Sequence, residues 1–161
     1  MRPTTKSLIA AAALVLGIGA QAQAQTVRLI ATLSGGSEAP TPLLSGATGV
    51  GEVFVNMATK EVTYTVKVFN LPSGATAGHF HVGSVGLAGP VVVDIAPPVN
   101  ISNDFTLSGT ATAASLRPQA SIGIRDWDDF IQALVGGQSY LNIHTSVYPS
   151  GEIRGQLSVA P

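Results

Sequence analysis

The chain has 161 residues, three histidines and no cysteine, with eight basic side chains against nine acidic ones. The missing thiols exclude disulfides, thiolate metal sites, a cysteine nucleophile and lipid attachment through an N-terminal cysteine, and no basic surplus exists to neutralise the phosphates that dominate nucleic-acid affinity. The length suits one domain with room for its own core.

Arg2 and Lys6 precede an uncharged run from Leu8 to Ala20 and the small-residue stretch Ala20-Gln21-Ala22-Gln23-Ala24. This is the pattern of a secretory signal, residues 1–24, with cleavage expected after Ala22 or Ala24. The apolar run is about 13 residues, short of the ~20 that span a bilayer. Loss of Arg2 and Lys6 leaves six basic residues against nine acidic ones, a formal charge of −3. Residues 25–161 are expected to form a single domain, secreted or periplasmic. No later apolar stretch is long enough to cross a membrane.

Beyond residue 26, short segments rich in Val, Ile, Thr, Phe and Tyr alternate with clusters of Gly, Pro, Ser and Asn, which predicts an all-β sandwich or barrel. Thr26 to Leu33 is the first expected strand, and Gly35 to Gly49 a loop. Gly51 to Asn56 and Glu61 to Phe69 form a hairpin around Met57-Ala58-Thr59-Lys60. In its second strand Val62, Tyr64, Val66 and Val68 share one face, the period of a half-buried antiparallel strand. Gly78 to Val82, Pro90 to Ile95 and Phe105 to Ala111 follow, with Pro97-Pro98 as a stop. Asp126 caps one short connecting helix near 126–135, whose apolar positions Trp127, Phe130, Ile131 and Leu134 recur at spacings of three and four before Gly136-Gly137. Tyr140 to Ser146 and Gly151 to Val159 close the chain as a hairpin across Tyr148-Pro149-Ser150.

All three histidines fall in two of these strands. His79 and His81, two apart in Gly78-His79-Phe80-His81-Val82-Gly83, project from one face while Phe80 takes the other. His144 shares its face with Tyr140 and Asn142, opposite Leu141 and Ile143. If the two strands are neighbours, three imidazoles converge, a donor set suited to copper, zinc, iron or nickel. With no thiolate, and with affinity peaking at Cu(II), copper is the first choice and zinc the second. Histidines on strands also serve as polar surface, and an H-x-H pair alone is a weak signal. Glu152 and Arg154 lie on one face of the last strand. A loop of Tyr148 to Ser150 sets Arg154 opposite His144 and Glu152 opposite Ser146, a charged pair beside a histidine or else a surface ion pair.

Catalytic constellations are thin. Asp126, Asp128 and Asp129 fit a helix N-terminus better than an acid/base pair. There is no G-x-S-x-G elbow, and neither Gly35-Gly36 nor Gly83 to Gly89 has the spacing of a phosphate loop. Asn100-Ile101-Ser102 is formally a glycosylation acceptor.

Gly78-His79-Phe80-His81-Val82-Gly83, continued through Gly86-Leu87-Ala88-Gly89-Pro90-Val91-Val92-Val93, resembles the first signature of the CHRD domain, the module named after chordin. Tyr140 to Thr145, with Pro149-Ser150-Gly151-Glu152-Ile153-Arg154-Gly155-Gln156-Leu157, resembles its second. Leu33-Ser34-Gly35 through Glu38 and Asn70-Leu71-Pro72 also fit, so the resemblance covers roughly residues 28 to 158. Phe80 stands where an aliphatic residue is more usual. In chordin the domain belongs to an extracellular antagonist of bone morphogenetic proteins, whose binding is associated with cysteine-rich modules that this chain lacks, so no growth-factor ligand carries over. The histidine strands are also similar to the copper-ligand strands of Cu/Zn superoxide dismutase. That resemblance implies a Greek-key β-sandwich with His79, His81 and His144 as copper ligands, and the hairpin register above sets Arg154 or Glu152 behind them. The chain departs from it in having no further histidine for a bridging ligand or zinc site.

Two functions follow, both of them binding rather than catalysis: an exported copper module, and an extracellular protein-interaction or matrix module that binds no metal.

Overall fold

A computed structural model describes residues 25–95 and 103–161. The signal segment, Pro97-Pro98 and Asn100-Ile101-Ser102 lie outside the described residues. The fold is all-β with one short helix. Its strands are β1 (Thr26–Ser34), β2 (Thr48–Asn56), β3 (Val62–Leu71), β4 (Ala75–Val82), β5 (Val91–Ile95), β6 (Asn103–Ala111), β7 (Ser139–Thr145), β8 (Ile153–Gln156) and β9 (Ser158–Val159), and α1 (Trp127–Val135) precedes β7.

The pairings are antiparallel, in the order β5-β4-β7-β8-β1-β2-β3-β6, with β9 on β1. The sheet curls until its ends, β5 and β6, approach each other. Since β6 returns beside β3 and β7 beside β4, the winding is a Greek key. After β6 the chain runs along the outer side of β5, where the Arg117 amide donates to Val92 O at 2.8 Å and Leu116 bridges Val93.

Strict alternation fills the interior. Leu29, Leu33, Val53, Val55, Val66, Phe80, Leu141 and Ile143 are all closed to solvent. Gly51 allows β2 to pass close to β7, because a Cβ there would lie 2.3 Å from Leu141 Cδ1. The helix plugs one end: Phe130 meets Phe80 edge-on at 5.9 Å, and Trp127 Nε1 donates to Lys60 O at 2.6 Å. Its acidic cluster is structural. Asp126 accepts from the Asp129 amide, Asp128 pairs with Lys60, and Asp129 pairs with Arg125. Asp126→Ala is expected to cost about 1 kcal/mol in urea unfolding, the usual value of an N-cap, with no change in the histidine site.

The last hairpin departs from the expected register. Asn142, not His144, stands opposite Arg154, and Ile143 faces Ile153. The turn is the cause: the Thr145 and Gly151 amides both donate to Tyr148 O, so the reversal is wider than Tyr148 to Ser150. A slip of two residues keeps every side chain on its face, so the prediction of which residues share a surface survives. The final strand is also split, with Leu157 between β8 and β9.

Candidate metal centre

β4 and β7 are direct neighbours, with His79 opposite Asn142, His81 opposite Tyr140 and Ala77 opposite His144. His144 is therefore diagonal to His79, within reach across an antiparallel pair. The ring centroids are 4.6 Å apart for His79 and His144, 5.4 Å for His79 and His81, and 5.7 Å for His81 and His144. One nitrogen from each ring lies within 4.8 Å of the other two, a group able to hold a metal ion.

Backbone carbonyls fix two of the rings. His81 Nδ1 is 2.8 Å from Gly89 O and His144 Nδ1 is 2.9 Å from Pro149 O. A carbonyl only accepts, so both Nδ1 atoms carry hydrogen and both Nε2 atoms are bare. His81 Nε2 is buried without a hydrogen-bond partner. A buried lone pair left empty is costly in a metal-free protein and is what a metal ligand presents. His79 Nδ1 lies 2.9 Å from His144 Nε2, and its Nε2 lies 3.4 Å from Asp94 Oδ1.

Burial acts on the same rings. It pushes His79 down to about 4, helped by the neighbouring His144, and His81 down to about 4; His144 is lowered too, again by burial. All three are neutral at pH 7, the state that can donate to a metal.

Tyr140 organises the far side. Its ring stacks on His81 at 4.8 Å and 9°, and the Arg154 guanidinium sits 3.5 Å from its centroid on the β8 side. The Tyr140 hydroxyl donates to Gly89 O at 3.2 Å and accepts from the Gly89 amide at 2.9 Å, so His81 and Tyr140 grip the same glycine.

Glu152 and Arg154 are both buried and do not pair with each other. Glu152 accepts from Ser45 Oγ and Thr145 Oγ1, each at 2.8 Å, which ties down the loop before β2 and the turn after β7 and reaches no histidine. Arg154 donates to Ser84 O at 3.1 Å and reaches His81 only through Tyr140. Sequence reasoning missed Tyr140, Gly89 and Asp94. It also missed Glu38, a buried carboxyl that desolvation raises to about 7 against the pull of Arg154. Tyr140 carried a signal in its place on the His144 face, and Gly89 and Glu38 stood inside the family-like segments without a role, whereas Asp94 carried none.

Fold and site together define an all-β domain with a covered three-histidine group. The CHRD domain family model matches residues 29–157, and the chain belongs to that family. No curated protein and no solved structure matches it. The likeness to the superoxide dismutase sandwich thus has no matching structure behind it. Among the described residues no helix is long and apolar enough to cross a membrane.

Proposed function

We propose that this CHRD-domain protein is an exported metal-binding module that holds copper through His79, His81 and His144. The buried, unpartnered Nε2 of His81 carries the reading, together with the two carbonyls that turn the His81 and His144 lone pairs inward. Residues and ion fit: three neutral imidazoles without thiolate or carboxylate among them suit copper ahead of zinc. Bound copper would supply one-electron redox capacity, while the protein supplies neutral donors, two of them buried and His79 partly exposed. Storage, delivery or buffering of the ion matches such a site, and the signal-like N-terminus supports export.

Titration of the purified protein with Cu(II) near pH 7, read by calorimetry and electron paramagnetic resonance, tests this. One tight equivalent with nitrogen hyperfine structure is expected, weakened roughly 100-fold or more in a folded His79→Ala, His144→Ala double variant. Weak binding, or binding that survives both substitutions, defeats the proposal.

A second reading, an extracellular interaction module without metal, draws on the loops. Leu44, Val85, Leu87 and Val147 are the most exposed large apolar side chains among the described residues. Two adjoining clefts, of ≈ 400 and ≈ 370 Å³, share Glu38, Ala39 and Pro40 as a common wall. Under this reading the double variant loses stability and no metal effect is seen.

A further inference from the structure

The hydrogen-bond arrangement at His79 contains a conflict. His144 Nε2 is bare because the His144 Nδ1 proton is committed to Pro149 O. The 2.9 Å contact from His79 Nδ1 to that atom is therefore a hydrogen bond only when His79 carries its proton on Nδ1. The same choice leaves His79 Nε2 bare in front of the Asp94 carboxylate, and two acceptors gain nothing from meeting. The separation there is 3.4 Å, beyond ordinary hydrogen-bond length. With the proton on Nε2 the situation reverses: the N–H faces the Asp94 carboxylate across 3.4 Å, a gap that a small turn of the ring closes into a charge-assisted hydrogen bond, while His79 Nδ1 and His144 Nε2 become two bare lone pairs 2.9 Å apart that an ion between them would satisfy.

Asp94 is placed for this role by the sheet. It stands directly opposite His79 in the β4–β5 register. Its other oxygen pairs with Arg117, which follows the segment lying along β5. The Arg117 guanidinium orients the carboxylate, and the carboxylate can then orient the ring.

We propose that Asp94 is a positioning residue of the candidate metal centre, which draws the His79 proton to Nε2 and so turns Nδ1 into the atom offered to the ion. The inference rests on the metal-binding reading above. It makes the metal-free site a balance of two tautomers: one closed by a proton between His79 and His144, the other opened by Asp94. A carboxylate or carbonyl behind a ligating imidazole is worth roughly 10- to 100-fold in metal affinity. Gly89 and Pro149 serve His81 and His144 in that way, and Asp94 completes the set for His79.

Long-range proton–nitrogen NMR of the metal-free protein reads which His79 nitrogen carries hydrogen, and copper titration reads affinity. The wild type should show a measurable Nε2-protonated fraction beside the Nδ1-protonated ring that the 2.9 Å contact with His144 holds. Asp94→Ala should shift His79 to the Nδ1-protonated form and weaken copper binding roughly 10- to 100-fold. Asp94→Asn keeps an acceptor oxygen and should recover part of both effects. The same His79 tautomer ratio in wild type and Asp94→Ala overturns the proposal, whatever the metal does. An absence of copper binding in the wild type overturns the metal reading instead, and the tautomer comparison still decides the role of Asp94.

Discussion

Replacing Gly89 with alanine should destabilise the protein by about 3 kcal/mol, at the top of the range for a side chain forced into a filled space. A Cβ at this position would lie 1.8 Å from Val82 O and 3.2 Å from Gly83 Cα, and backbone atoms cannot swing aside as a flexible side chain could. The damage should reach the histidines. Gly89 O accepts from both His81 Nδ1 and the Tyr140 hydroxyl, so displacing it frees the His81 ring to rotate or change tautomer. Urea unfolding measures the stability and copper titration the site, and both should fall together. Gly86→Ala in the same loop is the control. Nothing lies within 4 Å of its Cβ, so only its positive φ of 78° opposes the change, at about 1 to 2 kcal/mol, with His81 undisturbed. A Gly89→Ala protein as stable as the wild type would refute the packing argument.

Acid should weaken the metal-free protein well before ordinary carboxylates titrate. His79 and His81 are held at about 4 by burial, against an ordinary 6.5 in the unfolded chain. Their contribution is complete above 6.5 and is lost as pH falls toward 4, because the unfolded chain takes up protons that the folded rings refuse. Between pH 6.5 and 4.5 each loses on the order of 2 to 3 kcal/mol at 1.36 kcal/mol per pH unit. Glu38 acts in the opposite sense. Raised from 4.5 to about 7, it stabilises most below 4.5 and loses that effect as pH rises to 7. Two histidines outweigh one carboxyl, leaving a net loss on the order of 3 kcal/mol on acidification. In Glu38→Gln the opposing contribution disappears and the acid loss should nearly double. Urea midpoints at pH 7, 5.5 and 4.5 check both slopes, and a metal-free wild type equally stable at all three would show that the rings are not desolvated as described.

The fold was readable because its signals are local. Alternation in Val62 to Val68, the turn at Met57 to Lys60 and the capped apolar face of α1 each specify an element without reference to the rest of the chain. The histidine cluster was readable for a similar reason: period two sets His79 with His81, and one assumption, that β4 neighbours β7, brings in His144. What stayed hidden depends on register or on loops crossing over. β7 is buried on both faces, although its alternation of polar with apolar residues suggests one wet side. The loops carrying Ser45, Gly89 and Pro149 close over that polar face, and no periodicity within the strand announces it. Asp94 becomes a neighbour of His79 only through the β4–β5 pairing, which shifts register between Phe80 and His81. The wider turn after β7 moved Arg154 by two positions, which sequence cannot tell from the tighter one because both preserve the faces.

The stretch running beside β5 has a further effect, on how molecules meet one another. An edge strand of bare amides and carbonyls is a template on which another chain can add its own strand. β5 is such an edge, and Val91, Val92 and Val93 give it high strand propensity. With Leu116 bridged to Val93 and the Arg117 amide on Val92 O, this chain occupies those sites itself. The rim of the sheet nearest the histidines is thus partly taken up by the chain's own backbone, which leaves fewer free groups for another copy to pair with.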